Sequence, residues 1–176
     1  MPERIEITKM KQNSKDRKYV LENVKQEGAL LEFASEELRD DKEVVLEAIH
    51  NNAEALEFAS DRLKGDRQVV YDSVSKAGWT YCYAQENLLE DKELLMSGLK
   101  VTGQILYFSA PKMRDDWEVV KEAVNNKPII IKYASGRLRE DKEIGITAMK
   151  VNKNCYEFLG PKLKQDEDIL KIKNGE

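Results

Sequence analysis

Carboxylates at a fixed interval are the residues of this chain with the clearest chemical potential. Aspartate stands at 16, 41, 66, 91, 116, 141 and 166, so seven of the twelve aspartates share one phase of a 25-residue period. Two of these have a second aspartate beside them, in the pairs Asp40-Asp41 and Asp115-Asp116. A carboxylate pair could hold a divalent cation or carry general acid–base chemistry. The period argues for a plainer use, because an aspartate ahead of an apolar-periodic run caps the free N–H groups of a helix start. The other reactive side chains do not converge. The single histidine, His50, shares its phase with Lys25, Ser75, Lys100, Asn125 and Lys150, a solvent-facing helix position. Cys82 and Cys155 lack metal-ligand spacing. With repeats stacked at roughly 10 Å they would stand about 30 Å apart, so both are expected to be free thiols. No phosphate-binding glycine loop of either common pattern is present. No catalytic residue, metal, cofactor or small-molecule substrate is therefore expected.

Two further sets of side chains could bind rather than react. Arg39, Lys64, Arg114, Arg139 and Lys164 share one phase, and Arg62, Lys112, Arg137 and Lys162 lie two residues earlier. Such a ladder could take phosphates or an acidic partner. Acidic residues at the adjoining phases, Asp40, Glu90, Asp115 and Glu140, favour an edge that neutralises itself. The second set is an aromatic row, Phe33, Phe58, Tyr83, Phe108, Tyr133 and Phe158, which holds all four phenylalanines. It could be a stacking platform for bases. Its constant phase beside a small residue favours core.

The elements that carry these residues follow from the period, and self-similarity at such a spacing predicts a stacked repeat array. Six units run 16–40, 41–65, 66–90, 91–115, 116–140 and 141–165. Each opens at its aspartate and continues with apolar residues four, five, eight and nine places into the unit, such as Val44, Val45, Ala48 and Ile49. That is one stripe of an α-helix. A second, short helix is expected from near 28, 53, 78, 103, 128 and 153, with Asn52, Thr102 and Asn152 as caps and Pro128 as a first helical residue. A turn anchored by Leu38, Leu63, Leu88, Met113, Leu138 and Leu163 leads to the next aspartate, and Ser35, Ser60 and Ser135 stand ready to cap it. Residues 1–15 form a leader, or a cap in which Ile5, Ile7 and Met10 cover the first open face. Residues 166–176 form a C-terminal capping half repeat. Gly145 stands where the five earlier units have Val or Leu, which is expected to leave the last full unit the weakest. The fold class is thus all-α: a right- or left-handed superhelical solenoid of six 25-residue two-helix repeats plus a half repeat.

The pattern D-K-E-x-V-L-x-A-V-x-x-N-G-x-A-L-x-Y-A-S-x-x-L over 16–165, closest at 41–63, resembles the repeats grouped as domain of unknown function 4116. Ser109-Ala110-Pro111 and Leu159-Gly160-Pro161 depart from it. The resemblance implies a tandem helical module and brings with it no catalytic residue and no ligand.

One departure from the period bears on function. Two phases of the second helix, three residues apart, should share its outer face. They read Ala29, Glu54, Trp79, Gln104, Ile129, Asn154 and Glu32, Glu57, Cys82, Tyr107, Lys132, Glu157. Mostly polar or acidic at both ends, the rows offer Trp79, Cys82, Tyr107, Ile129 and Lys132 in the middle copies, and an apolar patch with a tryptophan and a tyrosine is how a partner site looks. The expected function is a non-catalytic protein- or peptide-binding scaffold. The alternatives are a regulatory or accessory part of an enzyme assembly and an anionic-partner surface built on the Arg/Lys ladder. A formal net charge of −4 over 176 residues argues against a general nucleic-acid binder. No apolar run approaches a membrane span, and the first twenty residues lack that of a signal peptide, so cytoplasmic residence is expected.

Overall fold

The computed structural model describes residues 5–175, and among these the chain is all helical, without strands. Each aspartate of the periodic row precedes an α-helix: α2 (Arg17–Val24), α4 (Lys42–Asn51), α6 (Arg67–Val74), α7 (Lys92–Leu99), α8 (Trp117–Asn126), α9 (Lys142–Val151) and α10 (Glu167–Asn174). All seven cap as expected. Asp41, for example, accepts from the N–H groups of Glu43 (3.0 Å) and Val44 (3.2 Å), and Asp141 from that of Ile144 (2.9 Å). Such a cap is worth about 1 kcal/mol. The apolar stripe turns inward: Val44, Val45, Ala48 and Ile49 are fully buried, as are Val119, Val120, Ala123 and Val124. Burying a side chain of that size contributes roughly 1.5–3 kcal/mol. Packing therefore outweighs the caps, which fix where each helix begins.

The second element of each copy is not an α-helix. It is a six-residue 3-10 helix, at Gly28–Phe33, Ala53–Phe58, Gly78–Tyr83, Gly103–Phe108, Pro128–Tyr133 and Lys153–Phe158. Extended backbone bounds it on both sides (Asn52 φ −139°, ψ 110°; Ala59 φ −64°, ψ 158°), leaving too few residues for a stable α-helix. Asn52, Thr102 and Asn152 cap it, and Pro128 opens it, as expected. With three residues per turn, side chains three apart eclipse. The pair Leu30-Leu31, and likewise Ala55-Leu56 and Ile105-Leu106, supplies the core. The aromatic that follows is displaced to the rim, so the expectation of a buried aromatic row fails. Phe33, Phe58, Tyr83, Tyr133 and Phe158 are half-buried, and Phe108 is 44% exposed.

The connecting turn is a short α-helix in two copies, α3 (Glu36–Arg39) and α5 (Asp61–Lys64), and a 3-10 turn in the others. Ser60 and Ser135 cap it through the N–H groups of Leu63 and Leu138 (3.2 Å each). Ser35 makes no such bond. Within each unit a backbone bond ties one turn to the turn before it: the Ser60 N–H donates to Arg39 O (2.9 Å), Ser135 to Arg114 O (2.9 Å) and Gly160 to Arg139 O (2.8 Å). The leader joins this ladder, since the Ser35 N–H donates to Ser14 O (2.9 Å). Its helix α1 (Ile5–Gln12) buries Met10 completely but leaves Ile5 exposed, so Met10 alone of the three expected residues covers the first face fully.

Contacts divide the chain into two compact units, one ending at Leu88 and the other beginning at Leu89. In the first, α2 packs on α4 and α4 on α6, with the 3-10 segments packed in the same order; in the second, α7, α8, α9 and α10 follow one another likewise. Gly145, expected to weaken the last full unit, leaves no gap beside it. A Cβ placed there would stand 2.5 Å from Leu163 Cδ2 and 3.4 Å from Leu159 Cδ2. Leu159, the exception in a row of Ala and Ser, is itself buried. The two residues have exchanged volumes, and the packing is kept.

Candidate functional site

The periodic carboxylates are committed to their neighbours. Besides capping their own helices, Asp41, Asp66, Asp116, Asp141 and Asp166 each accept from the first helical residue of the preceding copy. Arg17 reaches Asp41 (2.7 Å) and Glu43 (2.5 Å), Lys42 reaches Asp66 (2.7 Å), Lys92 reaches Asp116 (2.9 Å) and Glu118 (2.6 Å), and Lys142 reaches Asp166 (2.9 Å) and Asp168 (2.7 Å). Where that position is Trp117, the indole Nε1–H donates to Asp141 instead (3.1 Å). Solvent-exposed pairs of this kind contribute about 0–1 kcal/mol each. Their regularity fixes the register between copies more than it stabilises them.

The second members of the acidic pairs are occupied as well. Asp40 accepts from the Ser60 hydroxyl and from Arg62 Nε (2.9 Å), while Arg62 Nη2 donates to the Asp40 carbonyl (2.6 Å). Asp115 repeats the arrangement with Ser135 and with Arg137 Nε (3.1 Å) and Nη2 (2.6 Å). The serine hydroxyl and then the guanidinium hold both carboxyls below the ordinary carboxylate range. Lys112 stands 4.0 Å from Glu90. In copy six, where Gly160 replaces the serine, Glu140 turns to accept from the Leu163 N–H (2.8 Å). His50 is exposed, and neither cysteine is in a disulfide.

The outward sides of the 3-10 segments are different in kind. In the first unit Trp79, 37% exposed, packs edge-on against Tyr83 with ring centroids 5.6 Å apart. The Tyr83 hydroxyl donates to Glu57 (3.0 Å). Burial and that carboxylate push its pKa up to about 12. Cys82, three residues from Trp79, is half-buried, and burial and Glu57 raise its thiol pKa too. A raised thiol pKa makes Cys82 a poor nucleophile.

In the second unit Tyr107, 54% exposed, touches two rings, Phe108 (5.0 Å, 77° between planes) and Tyr133 (4.9 Å, 57°). Together with Ile129 and Ile130 these rings wall a cleft of about 240 Å³. Gln104, Lys127 and Lys132 complete its lining, and Lys132 Nζ lies 4.7 Å above the Tyr133 ring. Three of the five residues expected to bind, Tyr107, Ile129 and Lys132, thus meet in one cleft. The other two, Trp79 and Cys82, share a 3-10 face of the first unit.

Phe108, Tyr133 and Lys127 belong to the cleft and were not expected there. The signal for the two rings was present in the aromatic row, but reading the segment as an α-helix pointed that row inward. Lys127 stands at the capping phase, where an asparagine or threonine is expected and a binding residue is not.

The family described as domain of unknown function (DUF4116) matches the chain twice, over residues 16–64 and 116–164. No curated protein and no solved structure matches the chain.

Proposed function

The chain belongs to the DUF4116 family, and from that premise we propose a non-catalytic repeat module that binds a protein or peptide segment through the outward faces of its 3-10 segments. In this reading six 25-residue units over 16–165 and a half unit over 166–176 form a superhelical solenoid, an architecture that turns a short motif into an extended binding surface. One observation carries the reading. Tyr107 and Phe108 pack against each other yet keep 54% and 44% of their surface exposed. Rings held rigid but wet lose little conformational entropy on binding and gain from desolvation, which is why aromatic residues dominate interface energetics. Trp79 on Tyr83 supports the same use of the corresponding face in the first unit. The anionic-partner alternative has less support, because Arg62, Lys112 and Arg137 already face carboxylates.

The test compares the immobilised chain with its Tyr107→Ser and Trp79→Ser variants, after checking that all three melt alike. Proteins retained from a native lysate at physiological salt are identified by mass spectrometry. At least one protein held by the wild type should be lost from one of the variants. An identical set retained by all three would overturn the reading.

A further inference from the structure

We infer that the cleft of the second unit takes an acidic peptide segment: one large apolar side chain seated among Tyr107, Phe108, Ile129 and Tyr133, with flanking carboxylates held by Lys127 and Lys132. The inference rests on the binding reading above and specifies its partner. Space is the first argument. At about 240 Å³ the cleft is smaller than the roughly 300–1,000 Å³ of small-molecule and cofactor sites, and its walls are mainly apolar. That suits a single side-chain anchor.

Charge is the second argument. The lining has two cations and no carboxylate. Neither Lys127 nor Lys132 has a carboxylate partner among the described residues, and Lys132 rests on the Tyr133 ring instead. Elsewhere in this unit Lys92, Lys121 and Lys142 are each paired with carboxylates of the following copy. Two uncompensated cations beside an apolar cleft attract an acidic segment and repel a basic one, which is how charge sets specificity at an interface.

Ring geometry is the third argument, and it separates a peptide from a nucleic acid. The Tyr107–Phe108 and Tyr107–Tyr133 planes meet at 77° and 57°. They enclose a recess and offer no run of parallel faces on which successive bases could stack.

The experiment selects a random peptide display library on the full-length chain and reads the enriched sequences. Fluorescein-labelled copies of these peptides are then titrated by anisotropy against wild type, Tyr107→Ser and the double variant Lys127→Glu/Lys132→Glu. Enriched peptides should place Phe, Leu, Ile or Trp beside Asp or Glu. The double variant should bind them at least about tenfold more weakly, melt like wild type, and prefer versions whose acidic residues are changed to lysine. Basic or uncharged enriched peptides, or an affinity unchanged in the double variant, would overturn this inference. If Tyr107→Ser still abolished binding in that case, the broader reading would stand. No enrichment at all would overturn both. Two further results would also sink the acidic-peptide assignment: an oligothymidylate that binds more tightly than the peptides and is released by the double variant, or a self-associated chain that the double variant dissociates.

Discussion

Leu56 and Phe58 lie two residues apart in one 3-10 segment and meet opposite environments, Leu56 fully buried and Phe58 at the rim. Leu56→Ala should cost about 2–5 kcal/mol, since it removes a core side chain and leaves a cavity. Phe58→Ala should cost clearly less despite the larger side chain removed. Urea unfolding of the two variants checks this, and a greater loss for Phe58 would return the aromatic row to the core. Asp115 makes a second prediction at this scale, about protons. Its carboxyl is held below the ordinary range by the Ser135 hydroxyl first and Arg137 second. A depressed folded pKa contributes stability that is fully present above the unfolded value of about 3.9 and is lost as pH falls through the lower folded value. Ser135→Ala should therefore raise the Asp115 titration midpoint, read by carboxyl chemical shifts, and move the onset of acid unfolding to higher pH. A midpoint unmoved by the substitution would mean that Arg137 alone sets it.

Among the elements, the long helices were legible in the sequence and the short ones only in part. Each of the seven longer α-helices that open a copy announces itself through an aspartate cap and an apolar stripe, two independent signals at a constant spacing. The 3-10 segments carry weaker information. Six residues span too few turns for periodicity to tell three residues per turn from 3.6, and the more prominent row, the aromatic one, is the wrong guide to the core. The pairs Leu30-Leu31, Ile105-Leu106 and Ile130-Ile131 were the better signal. The bridges from Arg17, Lys42, Lys92 and Lys142 were also readable, as a basic residue beside each of those aspartates, but become meaningful only once copies pack side by side. Gly145 shows how single-position reasoning misleads. Its lost volume is returned by Leu159 at a position fourteen residues away in sequence. Restoring the pattern one residue at a time should therefore fail: Gly145→Val overpacks Leu163 at about 1–3 kcal/mol, and Leu159→Ala opens a cavity at about 2–5 kcal/mol. The double variant should cost less than the sum of the two by about 0.5–3 kcal/mol. Strictly additive losses would show that the two positions do not share a space.

At the scale of the whole molecule, repetition builds the scaffold, and in the proposed function departures from repetition supply the binding surface. Positions that keep the 25-residue period, the aspartates, the basic residues that follow most of them and the apolar pairs, go into caps, bridges and core. Positions that break it on the outward faces, Trp79 in the first unit and Tyr107, Ile129 and Lys132 in the second, stay at the surface, where the proposed partner would meet them. Such a division predicts binding without refolding, since the aromatic contacts are already in place in the unbound chain. The most direct measurement is amide hydrogen exchange on the full-length chain with and without a saturating bound peptide from the selection. New protection should fall on 103–108 and 127–133 and leave the basic edge at 111–115 and 136–140 unchanged. Protection confined to that basic edge, or spread evenly along the chain, would contradict the claim that the exposed 3-10 faces are what this protein binds with.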